Sequence, residues 1–301
     1  MHSRPIRAAS RLLLVLAVVG VVSIPVAPSS TAAASTCADP DSQGCVQTEI
    51  TRIATTSSVQ LGTFRELQMN LCNSGQAGCF ADDRSPGEAA QLISRYRPVA
   101  VTLNEICQRD VLDPHGAISL AMADVASEDG DTEAFAMFTP ALDRGTGKPY
   151  HCVNGDLYGI GMVGRGLAVS NPTRFLYSHQ KPTTPELRAA VCATVDGYDL
   201  CTTHLESDGP AVAAAQCREL MDTHVSRFRR TTADRPTVVG GDLNLGPAAL
   251  ACVPKGWDSQ GDRGVQHVLW TDDFHFVAAR TIHLRYTDHP ALLVDLTYPA
   301  N

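Results

Sequence analysis

Polar and apolar positions change period along the chain, and each change predicts an element. Phe64 to Asn70 reads as a first strand, and residues 71 to 84 as a loop containing glycine and cysteine. Ser85-Pro86-Gly87-Glu88 has the form of a capping box with proline at the first helical position. Ala89, Leu92, Ile93 and Tyr96 continue it as a helical apolar stripe, which Pro98 ends. Val99 to Leu103 is then a buried-type strand running into Asn104-Glu105. This unit is strand, helix, strand, with polar residues at both strand ends.

The same order returns further on. Ala213, Cys217, Leu220, His224 and Phe228 are spaced like the inner face of a helix, and Thr237 to Gly240 is a strand opening into Gly241-Asp242-Leu243-Asn244. Between the two units, Gly159 to Val169 alternates small and apolar residues. Ala190 to Val195 and Tyr198 to Thr203 flank Asp196-Gly197, a two-residue hairpin signal, and the second arm ends at His204. Val265 to Trp270 and Ala291 to Leu296 read as the final strands, with Asp288-His289-Pro290 leading into the last. Strands exchanging with helices, plus one tight hairpin, predict an α/β protein with a mixed sheet covered by helices. No repeat or linker interrupts residues 60 to 300, so 61–301 reads as one catalytic-size domain behind a Ser/Thr/Cys-containing lead-in at 35–60.

Residues 1–34 follow a different pattern. Arg4, Arg7 and Arg11 precede a 13-residue apolar run, Leu12 to Ile24, then Pro25, Pro28 and Ala32-Ala33-Ala34. Charge, short apolar core and A-x-A in that order are the signature of a cleaved secretory peptide. The alternative, a membrane anchor, needs about 20 apolar residues to span a bilayer. The expectation is therefore a secreted, extracellular protein with no stable membrane insertion, acting as a monomer.

Three of the 24 basic residues fall in that segment, so the processed chain carries 21 basic against 32 acidic side chains, a formal charge of −11. This excludes binding that rests on neutralising phosphates over a wide surface. It leaves open an enzyme that meets a phosphate locally, through a cation. The ten cysteines behind an export signal suggest disulfides. One pair follows from geometry: pairing Val195 with Tyr198 sets Cys192 opposite Cys201 in a non-hydrogen-bonded position, where side chains are closest. Cys72 with Cys79, Cys107 with Cys152, Cys217 with Cys252 and Cys37 with Cys45 are matched by neighbourhood only.

Candidate chemistry sits at strand ends. Singly, each residue has a bland reading: Glu105 as the exposed end of a strand, His204 as a satisfied core histidine, Asp242 and Asn244 as turn and cap residues, Asp288 as a turn cap and Asn70 as a loop asparagine. Together, five strand ends finish in a carboxylate, amide or imidazole, which is how α/β folds gather ligands at one rim of a sheet. Gly240-Gly241 would let the backbone pass close to whatever Asp242 and Asn244 hold, and Pro290 restricts His289 to extended backbone. Such a rim offers hard oxygen ligands for Mg²⁺ or a similar ion (Mn²⁺ or Ca²⁺), and histidines that exchange protons near neutral pH.

In chain order, Gln68-Met69-Asn70, Leu103-Asn104-Glu105-Ile106, Thr203-His204-Leu205, Gly241-Asp242-Leu243-Asn244 and Thr287-Asp288-His289-Pro290 resemble the motifs of the endonuclease/exonuclease/phosphatase superfamily, which includes pancreatic-type deoxyribonucleases. The resemblance spans residues 64 to 298. It implies a four-layered α/β sandwich, two packed mixed sheets between helical layers. It also implies that Glu105 holds a catalytic cation with Asn70 and Asp288, and that Asp242 orients or activates the attacking water. Asn244 and His204 would hydrogen-bond the phosphoryl oxygens, while His289 assists proton transfer. Arg188 falls where the family has a phosphate-contacting arginine, although an unbroken hairpin would set Arg188 and His204 on opposite faces.

Two departures stand out. The family's asparagine is missing from the strand Tyr158-Gly159-Ile160-Gly161, and Gln266 stands where an aspartate orients the last histidine. Gln266 is expected to accept a hydrogen bond from His289 without stabilising an imidazolium by charge. His115, His151, His179, His224, His267, His275 and His283 are left as structural. The expected activity is metal-dependent hydrolysis of phosphodiesters, foremost in nucleic acid. Sphingomyelin or phospholipid phosphodiesterases, small-molecule phosphatases and a non-catalytic binding module of the same fold are the alternatives. Aromatic residues are 6% of the chain and no lipid-contacting hairpin is visible, which ranks the lipid substrate lower.

Overall fold

The computed structural model describes residues 61–130, 134–165, 169–195 and 197–299. The expected secretory segment, the lead-in and the proposed Cys37–Cys45 pair lie outside the described residues. The chain runs through β1 (Leu61–Asn70), α1 (Ser85–Tyr96), β2 (Ala100–Cys107), α2 (Gln108–Leu112) and α3 (Ala117–Asp129). It continues through β3 (Ala134–Pro140), β4 (Leu142–Asp143), β5 (Tyr158–Arg165), β6 (Val169–Leu176), β7 (Glu186–Leu187), β8 (Ala189–Val195) and β9 (Tyr198–His204). After α4 (Pro210–Arg218), a π-helical stretch (Glu219–Val225) leads into α5 (Ser226–Thr231). A 3₁₀ segment (Gly246–Cys252) follows β10 (Thr237–Asp242), and β11 (Trp257–Gly261), β12 (Gln266–Thr271), β13 (His275–Ile282) and β14 (Ala291–Pro299) complete the fold.

Two six-stranded mixed sheets result, in the orders β13-β14-β1-β2-β5-β3 and β11-β12-β10-β9-β8-β6. Alternation along each strand sorts its side chains into layers. Phe64, Ala100, Met162, Val294 and Leu296 from the first sheet meet Val191, Leu200, Val238, Val268 and Trp270 from the second. On the outer face of the first sheet, Leu67, Met69, Val101 and Leu103 pack against Ile93 of α1 and Ile118 and Met122 of α3. On the outer face of the second, Cys201, Val239 and Leu269 pack against Ala213, Cys217, Leu220 and Phe228. Helix, sheet, sheet, helix is the expected four-layered sandwich, and the predicted inner face of α4 and α5 is the one that is buried.

The hairpin register is also as expected. Val195 pairs with Tyr198 and Cys192 with Cys201, and their disulfide spans a Cα–Cα distance of 4.1 Å. Cys72–Cys79, Cys107–Cys152 and Cys217–Cys252 are bonded as well. The capping box does not form. Ser85 lies inside α1 and donates its hydroxyl to Asn73 Oδ1, and Glu88 is used elsewhere. Among the described residues, no helix is long and apolar enough to cross a membrane.

Candidate active site

Each sheet contains one parallel strand pair, and the two pairs end at a common rim. In the first sheet β1 and β2 run parallel with Asn70 beside Asn104; in the second β9 and β10 run parallel with His204 beside Asp242. Hydrogen bonds across the gap join these ends. Asn104 Nδ2 donates to the Thr203 carbonyl at 2.9 Å, and Asn104 Oδ1 accepts from the Asp242 backbone N–H at 2.9 Å. Asn70 Nδ2 donates to Glu105 Oε1 at 3.0 Å and to Asp242 Oδ2 at 3.1 Å.

Glu105 is aimed by a break in its own strand. The pairing of β2 with β5 slips between Leu103 and Ile106, and Glu105 has a φ of 52°. A bulge redirects a side chain, and a left-handed non-glycine residue costs on the order of 1–3 kcal/mol, so it persists where its surroundings over-determine it. Its carboxylate is left 3.8 Å from His204 Nε2 and lines a hollow of about 210 Å³ with Ser74, Gln76, Tyr150, Tyr158, Glu186 and Arg188. Asn70 Oδ1 accepts from the Cys72 backbone N–H at 3.1 Å, so the group turned toward Glu105 and Asp242 is an amide nitrogen. Asn70 Nδ2 thereby links the two carboxylates.

Arg188 and His204 do reach one site, because the strand ends between them: β7 stops at Leu187, β8 begins at Ala189, and Arg188 occupies the break. Arg188 Nη1 donates to His204 Nδ1 at 2.8 Å and lies 3.3 Å from Glu186 Oε1. A guanidinium only donates, so His204 Nδ1 is an acceptor and the hydrogen of the neutral ring is on Nε2. Burial, and then the charges of Arg188 and His289, push the His204 pKa well below its usual range, which keeps the ring neutral. Burial pushes Glu186 up, offset in part by Arg188.

Asp242 is fully buried. Oδ1 accepts from the Asn244 backbone N–H at 3.1 Å, and Oδ2 accepts from Asn70 and from Gln266 Nε2 at 2.9 Å. Burial raises its pKa, opposed by the charge of His289 and by these hydrogen bonds. His289 Nδ1 lies 3.5 Å from Asp242 Oδ2 and 3.4 Å from Gln266 Nε2. The expected direction of the Gln266 contact is therefore reversed: Gln266 donates to His289, because its oxygen accepts from Gln68 Nε2 at 2.9 Å. Asn244, at φ 51°, commits an amide hydrogen to the Leu205 carbonyl at 3.0 Å.

Asp288 is the most exposed ionisable member of the set, with its side chain 62% accessible and Oδ1 3.5 Å from His289 Nε2. It also lies beside Cys72 and Cys79, whose sulfurs are joined in a disulfide and offer no thiolate. The segment before it is tied down twice. Glu88 accepts from the backbone N–H groups of Arg285 and Tyr286 at 2.9–3.1 Å, and Thr287 donates its hydroxyl to the Asn70 carbonyl at 3.0 Å.

Gly240 and Gly241 serve a different purpose from the one expected. A Cβ on Gly240 would sit 2.0 Å from Thr102 Oγ1, and one on Gly241 would sit 2.5 Å from the Thr203 carbonyl. They make room for neighbouring strands, not for a ligand. Glu66, Gln68, Thr102 and Asn104 form a buried polar layer beneath the site, of which Gln68 and Asn104 stand in the segments that carried the resemblance. The available signal for this layer is polar residues at alternate positions of β1 and β2, on the face that meets the other sheet.

Glu105 and Glu186 line one hollow with Arg188, while Asp242 and Asp288 each lie 3.5 Å from His289. Carboxylate oxygens are hard ligands suited to Mg²⁺, Mn²⁺ or Ca²⁺. A phosphate approaching this rim would meet excess negative charge unless a cation came with it, so the donor set fits a divalent ion centred on Glu105.

No protein-family model matches the sequence, and no curated protein is similar to it. Solved structures share its fold. The endonuclease/exonuclease/phosphatase from Beutenbergia cavernae superposes with a TM-score of 0.57 at 19% identity, over 79% of this chain and 72% of that one. The human Nocturnin catalytic domain with bound sulfate gives 0.55 at 16%, over 78% and 93%. ANGEL2, a 2',3'-cyclic phosphatase in complex with adenosine-2',3'-vanadate, gives 0.53 at 10%, over 80% and 97%. At these identities the likeness establishes the fold.

Proposed function

We propose that this chain, built on the fold of the endonuclease/exonuclease/phosphatase structures, is a secreted, divalent-metal-dependent phosphodiesterase acting on nucleic acid. The observation that carries the reading is the 3.8 Å approach of His204 Nε2 to Glu105 Oε1, with Arg188 holding the other ring nitrogen. A neutral donor and a cation-binding carboxylate face one space, as a phosphoryl group requires. Sulfate and a nucleoside vanadate, oxyanions resembling phosphate, occupy two of the structures sharing the fold. The nucleoside favours nucleic acid over lipid.

Glu105 would hold the cation, with Asp288 joining it where its exposed carboxylate turns inward. When bound, a divalent ion supplies counter-charge and Lewis-acid polarisation of the phosphoryl oxygens. His204 donates from Nε2 to an oxygen on which charge develops, and Arg188 keeps that tautomer in place. His289, receiving a hydrogen bond at Nδ1 from Gln266, likewise carries its hydrogen on Nε2. Asp242 is walled in by Asn70, Gln266 and the Asn244 amide, which suits it to fixing the Gln266 amide that donates to His289 rather than taking a proton from water directly. The hollow beside Glu105 would receive the part of the substrate flanking the phosphate. Plasmid DNA, RNA, sphingomyelin and a phosphomonoester, each offered with Mg²⁺ and with chelator, test the reading. Cleavage of DNA or RNA that chelation abolishes is expected; chelator-insensitive activity, or turnover of sphingomyelin alone, contradicts it.

A further inference from the structure

We propose that Glu66 is a neutral carboxylic acid in the working protein and acts as a positioning residue, sending one directed chain of hydrogen bonds through Thr102, Gln68 and Gln266 to Asp242 and His289. The role in catalysis rests on the phosphodiesterase reading; the protonation of Glu66 does not.

The argument is a count of hydrogens, anchored where the backbone allows no choice. Asn104 Oδ1 receives the Asp242 backbone N–H and Asn104 Nδ2 faces the Thr203 carbonyl, so this amide has one orientation. Gln68 is 2.7 Å from Asn104 Oδ1, hence the atom there is its nitrogen, and the same Nε2 donates to Gln266 Oε1. Gln68 Oε1 must then be an acceptor, and it lies 2.5 Å from Thr102 Oγ1. Thr102 Oγ1 is also 2.7 Å from Glu66 Oε1. A threonine hydroxyl has one hydrogen. With Glu66 ionised, two acceptors would compete for it and one short oxygen–oxygen contact would hold no hydrogen. A hydrogen on Glu66 resolves this: Glu66 donates to Thr102, Thr102 to Gln68, Gln68 to Gln266, and Gln266 to Asp242 and His289.

The surroundings agree. Glu66 is fully buried, and Gly240 leaves it space, since a Cβ there would lie 3.0 Å from Glu66 Oε1 as well as striking Thr102. The titratable groups on the facing strands lie toward the two ends of the layer, Tyr198 in its apolar core and His204 and Asp242 at the rim. Burial pushes the Glu66 pKa up to about 7, offset in part by the hydroxyl and amide of Thr102. Ionisation would draw the Thr102 hydrogen to Glu66, leave Gln68 Oε1 facing a lone pair, and loosen Gln266. Activity that depends on this chain is lost as pH rises through the Glu66 transition.

The test is a carboxyl titration in the intact protein, by ¹³C NMR of labelled glutamate or by the infrared carboxylic-acid band, with Glu66→Gln for assignment. A glutamic acid signal that persists well above pH 5 and vanishes in Glu66→Gln is expected; a Glu66 carboxyl that titrates near pH 4 overturns the proposal whatever the enzyme cleaves. In kinetics on plasmid DNA, Glu66→Gln, which can donate to Thr102, should stay within about threefold of wild type and lose its share of the alkaline decline. Glu66→Leu and Thr102→Val should lose tenfold or more in kcat, with KM little changed. The ¹⁵N signature of His289 Nδ1 should move in these two and hold in Glu66→Gln. Equal losses in Glu66→Gln and Thr102→Val, with no change at His289, would reduce Glu66 to packing. If wild type cleaves no phosphodiester, the functional reading falls, while the carboxyl titration and the His289 signal still decide this one.

Discussion

Arg188 Nη1 donates to His204 Nδ1 at 2.8 Å, and this one bond decides which nitrogen of His204 faces the substrate. Replacing Arg188 by lysine keeps the charge beside Glu186 but loses the planar fork that reaches both Glu186 and the imidazole. Arg188→Lys is expected to lower kcat by about 10–100-fold, less than the roughly 10²–10³ lost when an oxyanion donor is removed outright. Circular dichroism and the thermal midpoint should stay close to wild type. ¹⁵N NMR of His204 should show Nδ1 losing its hydrogen bond.

Two buried groups pull the pH dependence of stability in opposite directions. Glu66 has a folded pKa raised from 4.5 to about 7, so its contribution is full below the unfolded value and is lost as pH rises toward 7. Glu66→Gln should therefore flatten a decline of about 3 kcal/mol across that window, taking 1.36 kcal/mol per unit. His204 has a depressed folded pKa, so its contribution is present above the unfolded value near 6.5 and is lost as pH falls. His204→Asn should flatten the acid side. Urea unfolding at closely spaced pH values separates the two slopes.

Gly240 is required by its neighbours. Gly240→Ala places a methyl group 2.0 Å from Thr102 Oγ1, so the two sheets must part or Thr102 must move. Overpacking of this kind costs about 1–3 kcal/mol. The loss should appear as a lower urea midpoint with an unchanged slope, together with a fall in kcat, because Thr102 leads to Gln68 and Gln266.

Glu88 acts at a distance from the chemistry. Its carboxylate holds the Arg285 and Tyr286 amides just before His289. Glu88→Ala should free this segment and lower kcat/KM by about tenfold, since a misplacement near 1 Å costs as much or more. Glu88→Gln retains one acceptor and should fall in between. Hydrogen exchange at Arg285 and Tyr286 should quicken in the same order.

Much of this is legible in the sequence. The hairpin at Gly197 set its own register, and with it the Cys192–Cys201 bond, because a two-residue turn leaves one pairing. The strand-end residues Glu105, His204, Asp242 and His289 do converge, since parallel pairs in both sheets end at one rim. Orientation was not legible. Which atom of Asn70 turns inward depends on the Cys72 amide, and which way Gln266 donates depends on Gln68, two long-range facts that no local pattern encodes. Ser85 and Glu88 fitted a capping box by spacing, but Asn73 and the Arg285–Tyr286 amides compete for the same groups and win. The reach of Arg188 depended on a strand break between Leu187 and Ala189 that alternation does not announce.

The central claim is that Glu105 holds a divalent cation beside the His204 donor. Its most direct test is the Mg²⁺-dependent turnover of plasmid DNA by wild type and by Glu105→Gln, at matched folding stability and with a chelator control. A drop of at least about 10³-fold in kcat, with only weak recovery at high Mg²⁺, is the predicted result, in line with losing Lewis-acid stabilisation worth several kcal/mol. Turnover by Glu105→Gln within twofold of wild type at every Mg²⁺ concentration would contradict it.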